Sequence, residues 1–158
     1  MANIAQTINC LHSLFWAIGE KFVRTPTYYT FELYRPHMEG RLVPATIRTP
    51  ELKIVRRNGE SASLAMVAGS ASVREDRVTL TLTNASLDTP ASARIRLDGV
   101  QVREVRGRVL THADMQAANT FEQPGQVAPA VLPAAVANGG IQATIPGKSV
   151  AALEIRIV

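Results

Sequence analysis

The sequence predicts a mainly β protein whose body is an antiparallel β-sandwich. Three observations predict it. From Glu51 onward apolar residues recur with a period of two. Turn-forming residues punctuate these runs at short intervals. Each run is apolar on one face only, as two sheets packed face to face require.

The first forty residues follow a different rule. Ile4, Ala5, Ile8 and Leu11 are spaced as on a helix, so residues 2–9 are expected to be the last turns of one. Leu11, Leu14, Phe15 and Trp16 form a short apolar run that suits a buried strand or a continuation of the helix; periodicity leaves both open. Gly19 breaks it. Thr25-Pro26-Thr27 signals a helix start, because proline is tolerated in the first turn and restricts the residue before it. Phe31 and Tyr34 lie three apart on the helix that follows, and Pro36 ends it. A helix–strand–helix piece with no sheet partner is not a domain by itself. It reads as the tail of a larger α/β structure. The expected division is therefore 1–40 and 41–158.

The strands come next. Leu52 and Ile54 alternate with polar residues, as do Leu64, Met66 and Ala68, then Val78, Leu80 and Leu82. Ala93, Ile95 and Leu97 follow, then Val100, Val102 and Val105, then Ile141, Ala143 and Ile145, and finally Leu153, Ile155 and Ile157. Asn58-Gly59, Arg74 to Asp76, Asp88 to Pro90, Asp98-Gly99, Asn138 to Gly140 and Pro146-Gly147 separate them. Residues 111–139 keep no period beyond a possible helical turn at Ala113 to Ala118, so they are expected to be one long loop.

Composition narrows the function classes. The chain has 158 residues, 46% of them apolar, which suits one folded core rather than a disordered tail. Its 17 basic and 13 acidic residues are scattered, with Arg56-Arg57 the longest basic run, so no nucleic-acid stripe is expected. Aromatic residues are 5%, too few for a rich sugar-stacking surface. The single Cys10 allows no disulfide within the chain and fits a reducing compartment. It reads as a buried thiol at a helix end. The apolar N-terminus lacks the basic flank of a signal peptide, and no run approaches the ~20 apolar residues of a membrane span. The expected location is cytoplasmic, with no membrane and no nucleic-acid partner.

The 13 carboxylates show no pair in a setting suited to acid–base work. Glu75-Asp76 sits in a turn, and Glu32 is placed for an i,i+3 pair with Arg35. Asp114 suits a turn cap. His12, His37, His112 and Cys10 lack metal-ligand spacing, so neither metal nor cofactor is expected. Ser70 lacks the second glycine of a nucleophile elbow, and Asn84-Ala85-Ser86 reads as an ordinary turn. In the long loop Asn119 can bond local backbone, and Phe121 is expected to be a buried anchor beside Glu122.

Residues at both ends and in the middle, in order, resemble one family. Ile4 to Asn9, Leu11, Leu14, Gly19-Glu20-Lys21, Thr25-Pro26-Thr27-Tyr28, Phe31, Tyr34 and His37 are similar to the last barrel segment of glycoside hydrolase family 51 α-L-arabinofuranosidases. Leu110-Thr111, Asp114, Asn119-Thr120-Phe121-Glu122, Pro124 and Val127 resemble the family's C-terminal loop, and Ile145 to Val150 its final strand. The resemblance implies a (β/α)8 barrel followed by a jelly-roll-like β-sandwich. Residues 1–40 would be a remnant of the last β/α unit, with Leu11 to Trp16 as the eighth strand and Thr27 to Tyr34 as the eighth helix. It implies retaining removal of terminal arabinofuranosyl groups from arabinan and arabinoxylan. No position here matches the family's two catalytic glutamates, so no catalytic residue is expected in this chain. Arg24 and Thr25 fall where some relatives place a substrate-contacting residue, at a strand's C-terminal end.

Three readings are expected to compete: a piece of such an enzyme, inactive alone; a carbohydrate-binding sandwich; and an assembly module without ligand. A bare apolar strand Leu11 to Trp16 also predicts homo-oligomers.

Overall fold

The computed structural model describes residues 7–158. The expected helix over 2–9 lies mostly outside them, and its described end is not helical. Ile8 instead makes a parallel bridge to Phe15. The strand expected at Leu11 to Trp16 starts later. Leu11 and His12 form a turn, and β1 (Phe15–Ile18) pairs antiparallel with β2 (Lys21–Arg24). The reason is local. Ile18 faces Lys21 across a two-residue loop whose first residue, Gly19, has φ +57°, a conformation that costs glycine nothing.

Thr25 caps α1 (Pro26–Tyr34) as expected, and the short 3-10 turn Arg35–His37 follows it. Then come β3 (Arg41–Val43), β4 (Glu51–Val55), β5 (Ser61–Ala65), β6 (Val67–Arg74), β7 (Arg77–Asn84), β8 (Ala91–Ile95) and β9 (Val102–Thr111). The alternation read across Leu64, Met66 and Ala68 as one strand is split between β5 and β6. The expected loop 111–139 also contains β10 (Ala130–Leu132) and β11 (Ala134–Ala137), while its possible helical turn at Ala113 to Ala118 is a plain turn. Alanine serves both faces of a strand, so no polar–apolar alternation marks either piece. β12 (Gly140–Ile145) and β13 (Ser149–Ile157) close the chain.

One sheet has the order β10-β9-β13-β7-β6-β3, a second is β11-β12-β8, and β4-β5 is a separate hairpin. Every pairing between these strands is antiparallel. The core lies between the sheets. Leu153 and Ile155 of β13 and Ile145 of β12 are fully buried there, joined by Leu80, Leu82 and Ile141. Each such side chain contributes roughly 1.5–3 kcal/mol by leaving water.

β13 is buried on both faces, and its outer face explains where the N-terminal segment sits. Ala152 is small enough for Leu33 of α1 to pack on it, with Leu110 and Val127 completing a second apolar cluster. The sheet therefore has the sandwich core on one side and α1 on the other.

Candidate functional site

The expected site residues come together at the junction of β2 and α1. Thr25 is 6% exposed. Its hydroxyl donates to the Ser13 carbonyl at 2.7 Å, approaches that of Leu14 at 3.2 Å, and accepts from the Tyr28 N–H at 3.3 Å. A hydroxyl with one proton and two lone pairs has little capacity left for another partner. Arg24 is exposed, and its guanidinium lies 5.1 Å from the Tyr28 ring centroid, in cation–π range. Phe15 packs between Phe22 and Tyr28, at centroid distances of 4.9 and 5.2 Å.

The loop after β9 reaches this junction through Asn119, which is buried. Its amide donates to the Arg24 carbonyl at 2.8 Å and to the Val127 carbonyl at 2.9 Å, and its oxygen accepts from the Val127 N–H at 2.7 Å. The apolar anchor of the loop is Val127, not Phe121, which is only half-buried. Glu122 is exposed. A backbone hydrogen bond and the Thr120 side chain, with a lesser contribution from the charge of Lys21 in β2, hold its carboxyl below the usual range against the opposing effect of desolvation.

Elsewhere the structure revises several expectations. Glu32 pairs with Arg108 of β9 at 2.7 Å instead of Arg35, because α1 lies against the sheet and β9 offers the closer cation. Cys10 is half-buried and outside any helix, with its thiol 2.8 Å from the Ile8 carbonyl. Asn84, expected in an ordinary turn, is instead the buried last residue of β7, and its amide donates to the Thr89 and Ile145 carbonyls. Among the described residues no group of three or more His, Cys, Asp or Glu is placed to hold a metal ion. No described helix is long and apolar enough to cross a membrane.

One cluster was not foreseen. His37 places Nδ1 2.7 Å from the Ser72 hydroxyl and Nε2 3.0 Å from the Thr81 hydroxyl, which also meets Ser70 at 3.1 Å. The signal was present: Ser70 and Ser72, and Thr79, Thr81 and Thr83, alternate with apolar residues and mark a polar sheet face. A cleft of about 510 Å³ opens between α1 and the β9–β10 edge, lined by Glu32, Leu33, Pro36, Arg108, Leu132 and Ala152 among others. Neither Arg24, Thr25 nor Asn119 lines it.

The sequence model of the family described as "Alpha-L-arabinofuranosidase C-terminal domain" matches residues 1–149. A Bacteroides ovatus protein described as an intracellular exo-alpha-L-arabinofuranosidase is 33% identical over 158 residues, covering 99% of this chain and 30% of that protein. The solved GH51 arabinofuranosidase from Xanthomonas axonopodis pv. citri has a TM-score of 0.87 at 33% identity, over 99% of this chain and 31% of that one. A family 51 α-L-arabinofuranosidase from Bifidobacterium longum has a TM-score of 0.83 at 24% identity, over 96% of this chain and 30% of that one, a likeness of fold. The chain thus spans under a third of the length of these relatives.

Proposed function

The chain belongs to the α-L-arabinofuranosidase C-terminal domain family, and from that premise we propose that it is the β-sandwich end of a family 51 glycoside hydrolase. The whole enzyme releases terminal arabinofuranosyl groups, with retention, from arabinan, arabinoxylan and their oligosaccharides. The observation that carries this reading is the family match over residues 1–149, supported by 33% identity to two arabinofuranosidases along 99% of the chain.

In this proposal residues 1–40 complete the last β/α unit of a (β/α)8 barrel, and residues 41–158 are a jelly-roll-like sandwich braced against it. The catalytic glutamates lie outside the chain. Arg24 stands at the rim of the sugar pocket with its guanidinium exposed. Thr25 shapes that rim through its cap, since its hydroxyl is already engaged by Ser13 and Tyr28. The enzyme acts in the cytoplasm, a location that agrees with the word intracellular in the description of the Bacteroides ovatus relative. It forms homo-oligomers, for which exposed Leu11, Trp16, Ile18 and Phe22 supply apolar surface.

A separate sugar-binding module fits less well. Phe22 shares a face of the β1–β2 hairpin with Phe15, while Trp16 points to the other, so its exposed aromatics form no common platform.

The test is a chimera. This chain replaces the matching segment of the Xanthomonas axonopodis pv. citri enzyme, and hydrolysis of a nitrophenyl α-L-arabinofuranoside is measured. The chimera is expected to turn over and the isolated chain to show none. Turnover by the purified chain, or a folded chimera without activity, refutes the proposal.

A further inference from the structure

We infer that Asn119 is a positioning residue for the Arg24–Thr25 turn, so that a loop of the β-sandwich sets where Arg24 stands at the sugar pocket. The pocket itself rests on the reading above; the positioning rests on the geometry of one buried amide.

Asn119 is 6% exposed, and its side-chain amide uses both of its N–H protons. One goes to the Arg24 carbonyl, 95 residues away in sequence, and the other to the Val127 carbonyl. Its oxygen takes the Val127 N–H. That N–H can only donate and the two carbonyls can only accept, which fixes the amide in one orientation. Val127 holds the amide in place through the backbone on both sides and buries its own side chain against Leu33, Leu110 and Ala152. The amide is therefore a rigid part of the sandwich side, and Arg24 is what it grips.

The turn is held from its other side too. Thr25 bonds the Ser13 carbonyl and caps α1. Arg24 thus has a clamped carbonyl ahead of a clamped residue, and its side chain leaves this fixed point across the Tyr28 ring. Removing the amide takes its donor from the buried Val127 carbonyl and the part-buried Arg24 carbonyl, so the turn relaxes toward water and the guanidinium moves with it. Aspartate keeps the acceptor for the Val127 N–H but, when ionised, has no proton for the Arg24 or the Val127 carbonyl. It therefore keeps one of the two ties to Val127 while removing the grip on Arg24.

The experiment compares Asn119→Ala, Asn119→Asp, Arg24→Ala and the Asn119→Ala/Arg24→Ala double variant. Ile145→Ala loosens the sandwich core away from the turn and serves as the control. In the chimera, both Asn119 variants are expected to raise KM for the nitrophenyl arabinofuranoside about tenfold, less than the ~100-fold of an ångström-scale misplacement at the reacting atoms. The control leaves KM unchanged at the same loss of Tm. Arg24→Ala added to Asn119→Ala has no further effect, because the two act as one unit. In the isolated chain, amide exchange at residues 24–28 is expected to accelerate in Asn119→Asp and to stay slow in Ile145→Ala. Unchanged KM, or effects that multiply in the double variant, overturns the inference. If the unmutated chimera is inactive, the family reading fails separately, and exchange decides: unaltered exchange at 24–28 in Asn119→Asp overturns the positioning.

Discussion

The imidazole Nε2 of His37 lies 3.0 Å from the hydroxyl of Thr81, fastening the 3-10 turn after α1 to the outer face of the main sheet. Ser72 holds the other ring nitrogen at 2.7 Å. The contact has a pH signature. Burial holds the His37 imidazole below its ordinary value of 6.5. The unfolded chain therefore binds more protons in that window, and stability rises with pH there. His37 contributes fully above the unfolded value, and its contribution is lost as pH falls through the lower folded value. Thermal scans from pH ~7 to ~5 should show Tm falling further for the native chain than for His37→Asn, which cannot take up the proton. Parallel Tm curves for the two proteins would refute the assignment.

Thr25 should behave as more than an ordinary helix cap. Thr25→Ala removes the cap on Tyr28 and the bond to Ser13 together. The expected cost is about 2 kcal/mol, the upper end for a lost cap, and Thr25→Ser should recover most of it. Urea midpoints with unchanged m-values measure both. A loss near zero for Thr25→Ala would mean that water replaces the hydroxyl freely.

The sandwich core predicts a larger effect. Ile145 is fully buried between the sheets. Ile145→Ala should cost about 2–5 kcal/mol, with the spread set by how far the cavity collapses. Val131, 82% exposed on the edge strand, should tolerate alanine within about 0.5 kcal/mol. Equal losses at the two positions in urea melts would contradict the layer assignment.

The Glu32–Arg108 pair should contribute little despite its 2.7 Å contact, because Arg108 keeps 46% of its side chain in water. A double-mutant cycle with Glu32→Gln and Arg108→Met should give about 0.2–1 kcal/mol, falling in high salt. A salt-independent coupling well above that range would show a pair shielded from solvent.

Legibility followed the range of the forces. The start of α1 was readable because Thr25 and Pro26 act on their own neighbours. The β7 strand was readable because Val78, Leu80 and Leu82 declare a face within five residues. The β1–β2 hairpin was missed although Gly19 marks its turn, because Phe15 and Trp16 make a run apolar on both faces. β10 and β11 were missed because alanine carries no preference for a face. The candidate site was half-legible. Arg24, Thr25 and Asn119 could be named singly, yet no spacing says that Asn119 grips the carbonyl of Arg24.

By itself the sequence determined the strand faces, the helix start, most turns and the family resemblance, all carried by periods, caps and motifs a few residues long. Only the tertiary structure decided that Glu32 meets Arg108 across 76 residues and Asn119 meets Arg24 across 95. It also decided that His37 closes on Thr81. Such pairs have no local signature. They are selected when α1 and the sheet bury Leu33 against Ala152 and bring distant polar groups into a space where each must find a partner.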